Sequence, residues 1–158
     1  MDIGISEKYR DELAEDLRRL LAETYALYFK THSYHWNVTG PLFEPLHRLF
    51  MVQYTELWNA IDLIAERIRA LGQYAPLSHQ QLLEASSIHN DERVPPALEM
   101  VHNLRVGHEN LIRTTRQILP RAEAAQDAVT IDLLTQRLHA HEKNAWMLRA
   151  IEEDQGKH

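Results

Sequence analysis

Apolar residues recur every three or four positions along most of the chain, which is the spacing of the buried face of an α-helix. A first stripe of this kind, with charged residues opposite, predicts a helix over about residues 6 to 36. A second stripe predicts a helix over about residues 42 to 71, ending at Gly72, because glycine readily follows the last residue of a helix. The stripe positions are Leu13, Leu17, Leu20, Leu21, Thr24, Leu27, Tyr28 and Thr31 in the first helix and Leu46, Leu49, Phe50, Gln53, Leu57, Ala60, Ile61, Ile64, Ile68 and Leu71 in the second.

Two more long stripes follow after a connection of about 20 residues. Within this connection, the stretch from Pro76 to Ser87 has enough leucines for one short helix, with Ser78 as its N-cap. The third stripe begins after Pro95 and Pro96, which suit the first turn of a helix, and Asp127 is placed to cap the fourth helix. The stripes are Leu98, Val101, Leu104, His108, Leu111, Ile112, Thr115, Ile118 and Leu119, then Ile131, Leu134, Leu138, Ala145, Leu148 and Ile151.

This order of elements predicts an all-α protein, a four-helix bundle with a short extra helix in the long crossover between helices two and three. No strand pattern or internal repeat competes with it. With 158 residues and 44% apolar composition, residues 1–158 are expected to form one domain around one core.

The amino-acid composition limits the kinds of metal ligand and binding partner that the protein can have. The chain has no cysteine but ten histidines, so any metal site must use imidazole and carboxylate ligands. It carries 17 basic and 23 acidic side chains, a formal charge of −6, which is unlike a nucleic-acid-binding protein. Neither a leader sequence nor a membrane-length apolar run is visible, so we expect a cytoplasmic protein.

Two carboxylates stand on the second predicted helix close to apolar neighbours. Asp62 and Glu66 are four residues apart and share a helix face. Carboxylates beside the core are unfavourable unless a cation or hydrogen bonds compensate them. The alternative is a solvated pair in which Arg67 or Arg69 braces Glu66.

Three histidines lie around the connection between the first and second predicted helices. His32 and His35 close the first helix, and His47 lies early in the second. His47 and Asp62 are 15 residues apart, which separates them by ~22 Å along one helix. A metal site that uses both must therefore join two chains, with the second helix antiparallel to its copy across a twofold axis.

Three segments carry a family resemblance. They are KTHSYHWNVTGPLFEPLH at 30–47, DLIAERIRALG at 62–72 and HEKNAWMLRA at 141–150. In this order they resemble the Dps proteins, the miniature ferritins of bacteria, and the similarity extends over essentially the whole chain. It implies a ferritin-like bundle that assembles into a shell of twelve subunits. It also implies a ferroxidase that oxidises Fe²⁺ with hydrogen peroxide or oxygen and stores ferric mineral inside the shell.

Carried over by motif position, the resemblance assigns the ligands. His35 and His47 come from one subunit and Asp62 and Glu66 from its neighbour, in agreement with the distance along the helix. Trp36, next to His35, would line the site.

One position departs from the family pattern. Met51 stands four residues after His47, where the family usually has Asp or Glu. A thioether is a soft, neutral and poor ligand for iron, so one metal position should be weaker, and the remaining balance of ligands suits Zn²⁺ as well as Fe²⁺. His79 and His32 are the candidates to replace the missing ligand, unless each is simply a surface or hydrogen-bonded histidine. The alternative function is a metal-sequestering shell that binds Zn²⁺ and has weak ferroxidase activity.

Other polar residues are weaker candidates. Two Glu-x-x-His patterns, at Glu44 and at Glu99, do not complete the ligand set of a metal centre inside one bundle. His139 and His141 are interpreted as structural or surface residues.

Three acidic residues resemble in placement the carboxylates of the family's threefold iron pores. These are Glu123, Asp127 and Asp132. The alternative is helix capping or plain solubility, and for Asp127 capping fits at least as well.

Little or no DNA binding is expected, because both ends of the chain are net acidic. Lys8 and Arg10 are set against Asp2, Glu7, Asp11 and Glu12, and Lys157 against Glu152, Glu153 and Asp154.

Overall fold

A computed structural model describes residues 1–153, which form five helices and no strand. The helices are α1 (Glu7–Asn37), α2 (Phe43–Ala70), α3 (His79–Ala85), α4 (Ala97–Ala124) and α5 (Ala128–Glu153). α1 packs along α2, α4 packs along α5, and the two pairs meet chiefly through α1 and α4. The predicted bundle with a short extra helix in the crossover is confirmed, and the predicted ends of the first two helices are within a residue of those observed.

The helix ends follow from local hydrogen bonds. Ser6 accepts a hydrogen bond from the Tyr9 amide at 3.3 Å, and Ser78 accepts one from the Gln81 amide at 3.2 Å. Asp127 accepts one from the Thr130 amide at 3.0 Å. The capping roles predicted for Ser78 and Asp127 are thus confirmed.

The core is built from the predicted stripes. The fully buried side chains include Leu13, Leu17, Leu20, Leu27, Leu46, Phe50, Leu57, Ile64, Ile68, Leu71, Met100 and Leu104. Polar stripe positions are buried as well, among them Gln53, His108 and Thr115. The interior of the bundle is therefore polar in part.

Within residues 1–153, no helix has both the length and the apolarity needed to cross a bilayer. Asp154 and Lys157, which belong to the predicted acidic end, lie outside the described residues.

The contact between α1 and α4 is close at Gly107. A Cβ added there would lie 2.6 Å from Cδ1 of Leu27, a fully buried side chain. We expect Gly107→Ala to lower the free energy of unfolding by about 1–3 kcal/mol, because overpacking outweighs the better helix propensity of alanine. Denaturant unfolding at fixed protein concentration measures this. Leu27→Ala in the same chain should relieve the clash, and a Gly107→Ala variant more stable than the wild type would contradict the expectation.

Candidate metal centre

His35 and His47 form a locked pair of imidazoles. Their rings stack at 3.7 Å between centroids and 16° between planes. Nδ1 of His35 donates to the backbone carbonyl of His47 at 2.7 Å, and Nδ1 of His47 donates to the carbonyl of His35 at the same distance. Because a carbonyl only accepts, each Nδ1 carries a proton, so Nε2 is the ring nitrogen that can offer a lone pair to a metal ion. Metal-binding histidines are oriented by this kind of hydrogen bond on the other ring nitrogen.

Asp62 and Glu66 lie on the exposed side of α2. Within residues 1–153, neither carboxylate makes an ion pair or a side-chain hydrogen bond. The arginines that were the alternative partners of Glu66 are used elsewhere: Arg67 binds Asp127 at 2.7 Å and Arg69 donates to the Gln73 carbonyl at 2.9 Å. The alternative prediction of a solvent-exposed pair therefore fits the structure, but the predicted contact between Glu66 and Arg67 or Arg69 is wrong.

One chain does not bring the four predicted ligands together. His47 and Asp62 are ~22 Å apart along α2. Among the residues that the structure describes, no three His, Asp or Glu side chains are grouped closely enough to hold a metal ion. A complete site from these residues therefore requires a second copy, and its occupancy stays a prediction.

Met51 and Trp36 are both exposed beside the histidine pair. Met51 is one turn after His47 on α2, and its side chain is 45% exposed. The Trp36 ring lies 4.1 Å from the ring of His32. Neither adds a charge to this region.

His32 is held in an aromatic stack. Its ring lies 3.9 Å from Tyr54, nearly parallel to it, and its Nδ1 is 3.0 Å from the hydroxyl of Tyr28. Burial, and then the nearby His35, lower the pKa of His32 below its usual value. The ring centroid of His32 is 6.1 Å from that of His35. The sequence patterns did not single out either tyrosine as a site residue: Tyr28 counted as part of the first apolar stripe, and Tyr54 lies beside the second stripe, next to Gln53.

His79 is exposed at the first position of α3. Its ring is 5.8 Å from that of Tyr25, which in turn is 6.0 Å from Tyr28. The structure thus places His79 on the same side of α1 as His32, but nearer the start of that helix. Its role as a replacement ligand stays a prediction.

The three predicted pore residues differ in environment. Glu123 and Asp132 are exposed, whereas Asp127 is only 2% exposed. Arg67 Nη2 donates to both oxygens of the Asp127 carboxylate, at 2.7 and 2.8 Å. Burial alone would raise the pKa of Asp127, but hydrogen bonds from Arg67 and Thr130 outweigh it and hold the pKa below its usual value. Within one chain, Asp127 is a capping and ion-pairing residue.

A second polar group lies inside the bundle, away from the exposed ligands. His108 of α4 and His141 of α5 are fully buried, and their Nδ1 atoms are 2.9 Å apart. Burial, and then the charge of Arg137, lower the pKa of His108 to about 3. Burial, His108 and Arg137 also hold the pKa of His141 well below its usual value. The sequence placed His108 on an apolar stripe and classed His141 as structural or surface; the structure shows that both are structural and buried.

This pair predicts loss of stability in acid. The unfolded histidines titrate near pH 6.5, so below that pH, and down to about pH 3 for His108, the unfolded chain binds more protons than the folded one. Stability should fall as the pH drops through this window, by up to about 1.4 kcal/mol per pH unit per histidine. Denaturant unfolding at several pH values measures the slope. The free energy of unfolding of His108→Gln/His141→Gln should depend less steeply on pH than that of the wild type, and His139→Gln should show the wild-type slope. Equal slopes for all three proteins would contradict this expectation.

Comparison with known proteins places this geometry in context. A family model described as the ferritin-like domain matches residues 14–155. An uncharacterised low temperature-induced protein of Nostoc is 40% identical over 98% of this chain and 88% of that protein. DNA protection during starvation protein 2 of Bacillus anthracis is 36% identical over 89% of this chain and 96% of that protein. The crystal structure of a Dps protein from Vibrio cholerae, described as a member of a superfamily of ferritin-like diiron-carboxylate proteins, superposes with a TM-score of 0.91. It shares 33% identity and covers 95% of this chain and 94% of that one.

Proposed function

We propose that this chain, which belongs to the Dps proteins of the ferritin-like family, oxidises Fe²⁺ at sites between subunits and stores the ferric product inside a hollow shell. Iron is the substrate and cargo of this activity. The observation that carries the proposal is the locked His35 and His47 pair, whose Nε2 atoms are both free to bind metal.

The second half of the proposed site comes from a neighbouring copy. Asp62 and Glu66 are exposed and unpaired within residues 1–153, as ligands awaiting a partner chain would be. The same face of α2 exposes large apolar side chains, namely Met51, Val52, Trp58 and Leu63. Exposed apolar patches of this kind mark protein interfaces. We propose that two α2 helices meet antiparallel across a twofold axis, and that twelve copies close the shell.

The chemistry divides between the two kinds of ligand. The imidazoles of His35 and His47 bind Fe²⁺ through Nε2, and the carboxylates of Asp62 and Glu66 stabilise the higher charge of Fe³⁺. Each hydrogen peroxide takes one electron from each of two Fe²⁺ ions and, with two protons, leaves as two water molecules. The protein contributes position and charge to this electron transfer.

Met51 makes the second iron position the weaker one. It supplies a neutral sulfur where a carboxylate would add charge, so fewer negative ligands face the metals. His32 and His79 are the residues that we propose for compensation. The hydroxyl of Tyr28 occupies Nδ1 of His32 and leaves Nε2 for a metal.

We expect little or no binding of duplex DNA. Lys8 is one of the few basic residues near the start of the chain, and its Nζ lies 4.0 Å from the carboxylate of Glu12 on the same helix. Little positive charge is left there to release counterions from DNA.

Anaerobic loading with Fe²⁺, followed by hydrogen peroxide or oxygen, tests the function directly. Ferric absorbance should rise much faster than in buffer, and Asp62→Ala should lose this gain. Asn59→Ala, one turn earlier on the exposed side of α2, is the matched control and should keep it. Oxidation no faster than buffer, with Zn²⁺ uptake that depends on Asp62, would replace the proposal with a metal-sequestering shell.

A further inference from the structure

A polar group in the middle of the bundle is separate from the exposed ligands of the proposed oxidation site. We call it the interior cluster; its members are Glu56 of α2, His108 of α4, and Arg137 and His141 of α5. His108 and His141 are fully buried and Arg137 is nearly so, whereas the side chain of Glu56 is 36% exposed at the edge of the cluster. A buried guanidinium requires compensating acceptors, and the cluster supplies them.

Arg137 sits among acceptors from two helices. Its Nη1 and Nη2 donate to the two carboxylate oxygens of Glu56, the second at 3.1 Å. Its Nη2 also donates to Nε2 of His141 at 3.2 Å. The guanidinium therefore faces three acceptor atoms, a carboxylate from α2 and an imidazole from α5.

The direction of these bonds fixes the protons on the two histidines. Arginine only donates, so Nε2 of His141 is the acceptor and its proton lies on Nδ1. That proton points to Nδ1 of His108 at 2.9 Å, which leaves the proton of His108 on Nε2. Within residues 1–153, this Nε2 and the Nε of Arg137 are buried without a hydrogen-bond partner. Both of these unpaired atoms are N–H donors, whereas the carboxylate oxygens of Glu56 and the Nε2 of His141 are all used as acceptors by Arg137.

A carboxylate from one helix and an imidazole from another are the ligand types with which helical bundles bind metals. In this protein the guanidinium of Arg137 occupies the position between the carboxylate of Glu56 and the imidazole of His141. We propose that the interior cluster is a built cation site whose resident cation is the Arg137 guanidinium, and that this side chain keeps divalent metal out of the bundle. The proposal is independent of whether the site between subunits oxidises iron.

Chemical rescue tests the cation site. Arg137→Ala empties the position and leaves Glu56 and His141 without their cation. Millimolar guanidinium should then raise the melting temperature of Arg137→Ala and leave the wild type unchanged, because a ligand stabilises the folded state that binds it. Urea has nearly the same shape without the charge and should not do so. Equal effects of guanidinium and urea on Arg137→Ala would overturn the proposal.

Metal binding tests the exclusion. Co²⁺, followed by its visible absorption, should bind to Arg137→Ala with about one more equivalent per chain than to the wild type. Arg137→Ala/Glu56→Gln removes the carboxylate and should lose that equivalent. A folded Arg137→Ala with the Co²⁺ stoichiometry of the wild type would refute exclusion by Arg137. If Arg137→Ala does not fold, Arg137→Gln replaces it in the Co²⁺ titration and the same result is required.

Discussion

Two inactive variants, when assembled together, are expected to regain about a quarter of the wild-type oxidation sites. The first lacks both imidazoles, as His35→Ala/His47→Ala, and the second lacks both carboxylates, as Asp62→Ala/Glu66→Ala. In a mixed dimer, one site combines the intact histidines of one chain with the intact carboxylates of the other, while its twofold mate has neither. Since half of the dimers in an equal, randomly assembled mixture are mixed, a quarter of the sites work.

The measurement is the initial rate of ferric absorbance after unfolding and joint refolding of the two variants. Each variant refolded alone should oxidise Fe²⁺ at the rate of buffer. Variants refolded separately and then combined serve as the control and should stay inactive as long as subunits do not exchange. A mixture as inactive as its components, in shells shown to contain both chains, would contradict a site shared between subunits.

Asp127→Ala should cause the largest loss of stability among alanine substitutions of the three predicted pore residues. The substitution leaves the guanidinium of Arg67, which is only 12% exposed, without the carboxylate that accepts from its Nη2. Breaking a buried ion pair from one side costs about 3–5 kcal/mol, and the lost helix cap adds about 1 kcal/mol. Denaturant unfolding of the variant and wild type at equal protein concentration measures the difference.

Asp132→Ala and Glu123→Ala are the matched controls, because these neighbouring carboxylates are exposed. Each should change stability by less than about 0.5 kcal/mol. Arg67→Met/Asp127→Ala, which removes both partners, should be less destabilised than the sum of the single variants. If Asp127→Ala unfolded like its controls but slowed iron entry, Asp127 would act as a pore ligand and its ion pair would matter little.

Local patterns were enough to predict the fold. Stripes at helical spacing gave the long helices, and the short side chains of Ser78 and Asp127 marked two helix starts that the structure confirms. These features depend on neighbours within one or two turns, which a sequence displays directly.

Contacts between distant residues were not predictable in the same way. Arg67 and Asp127 are 60 residues apart, and no local pattern pairs them. The buried contact between His108 and His141 depends on the register of α4 against α5, which the sequence does not display. From the spacing alone, His108 was therefore interpreted as one more position of an apolar stripe. For the metal ligands, the spacing of His47 and Asp62 required two chains, but it said nothing of the hydrogen bonds that orient the imidazoles.

Because of those hydrogen bonds, the orientation of each histidine ring does not depend on the side chain of the other residue. Each ring is held by the other residue's backbone carbonyl, and a backbone carbonyl survives any change of side chain. Replacing His47 therefore leaves His35 with its acceptor, and the reverse is equally true. In evolutionary terms, the imidazole half of the site can drift one ligand at a time, each step altering metal preference without disorganising the ligand that remains.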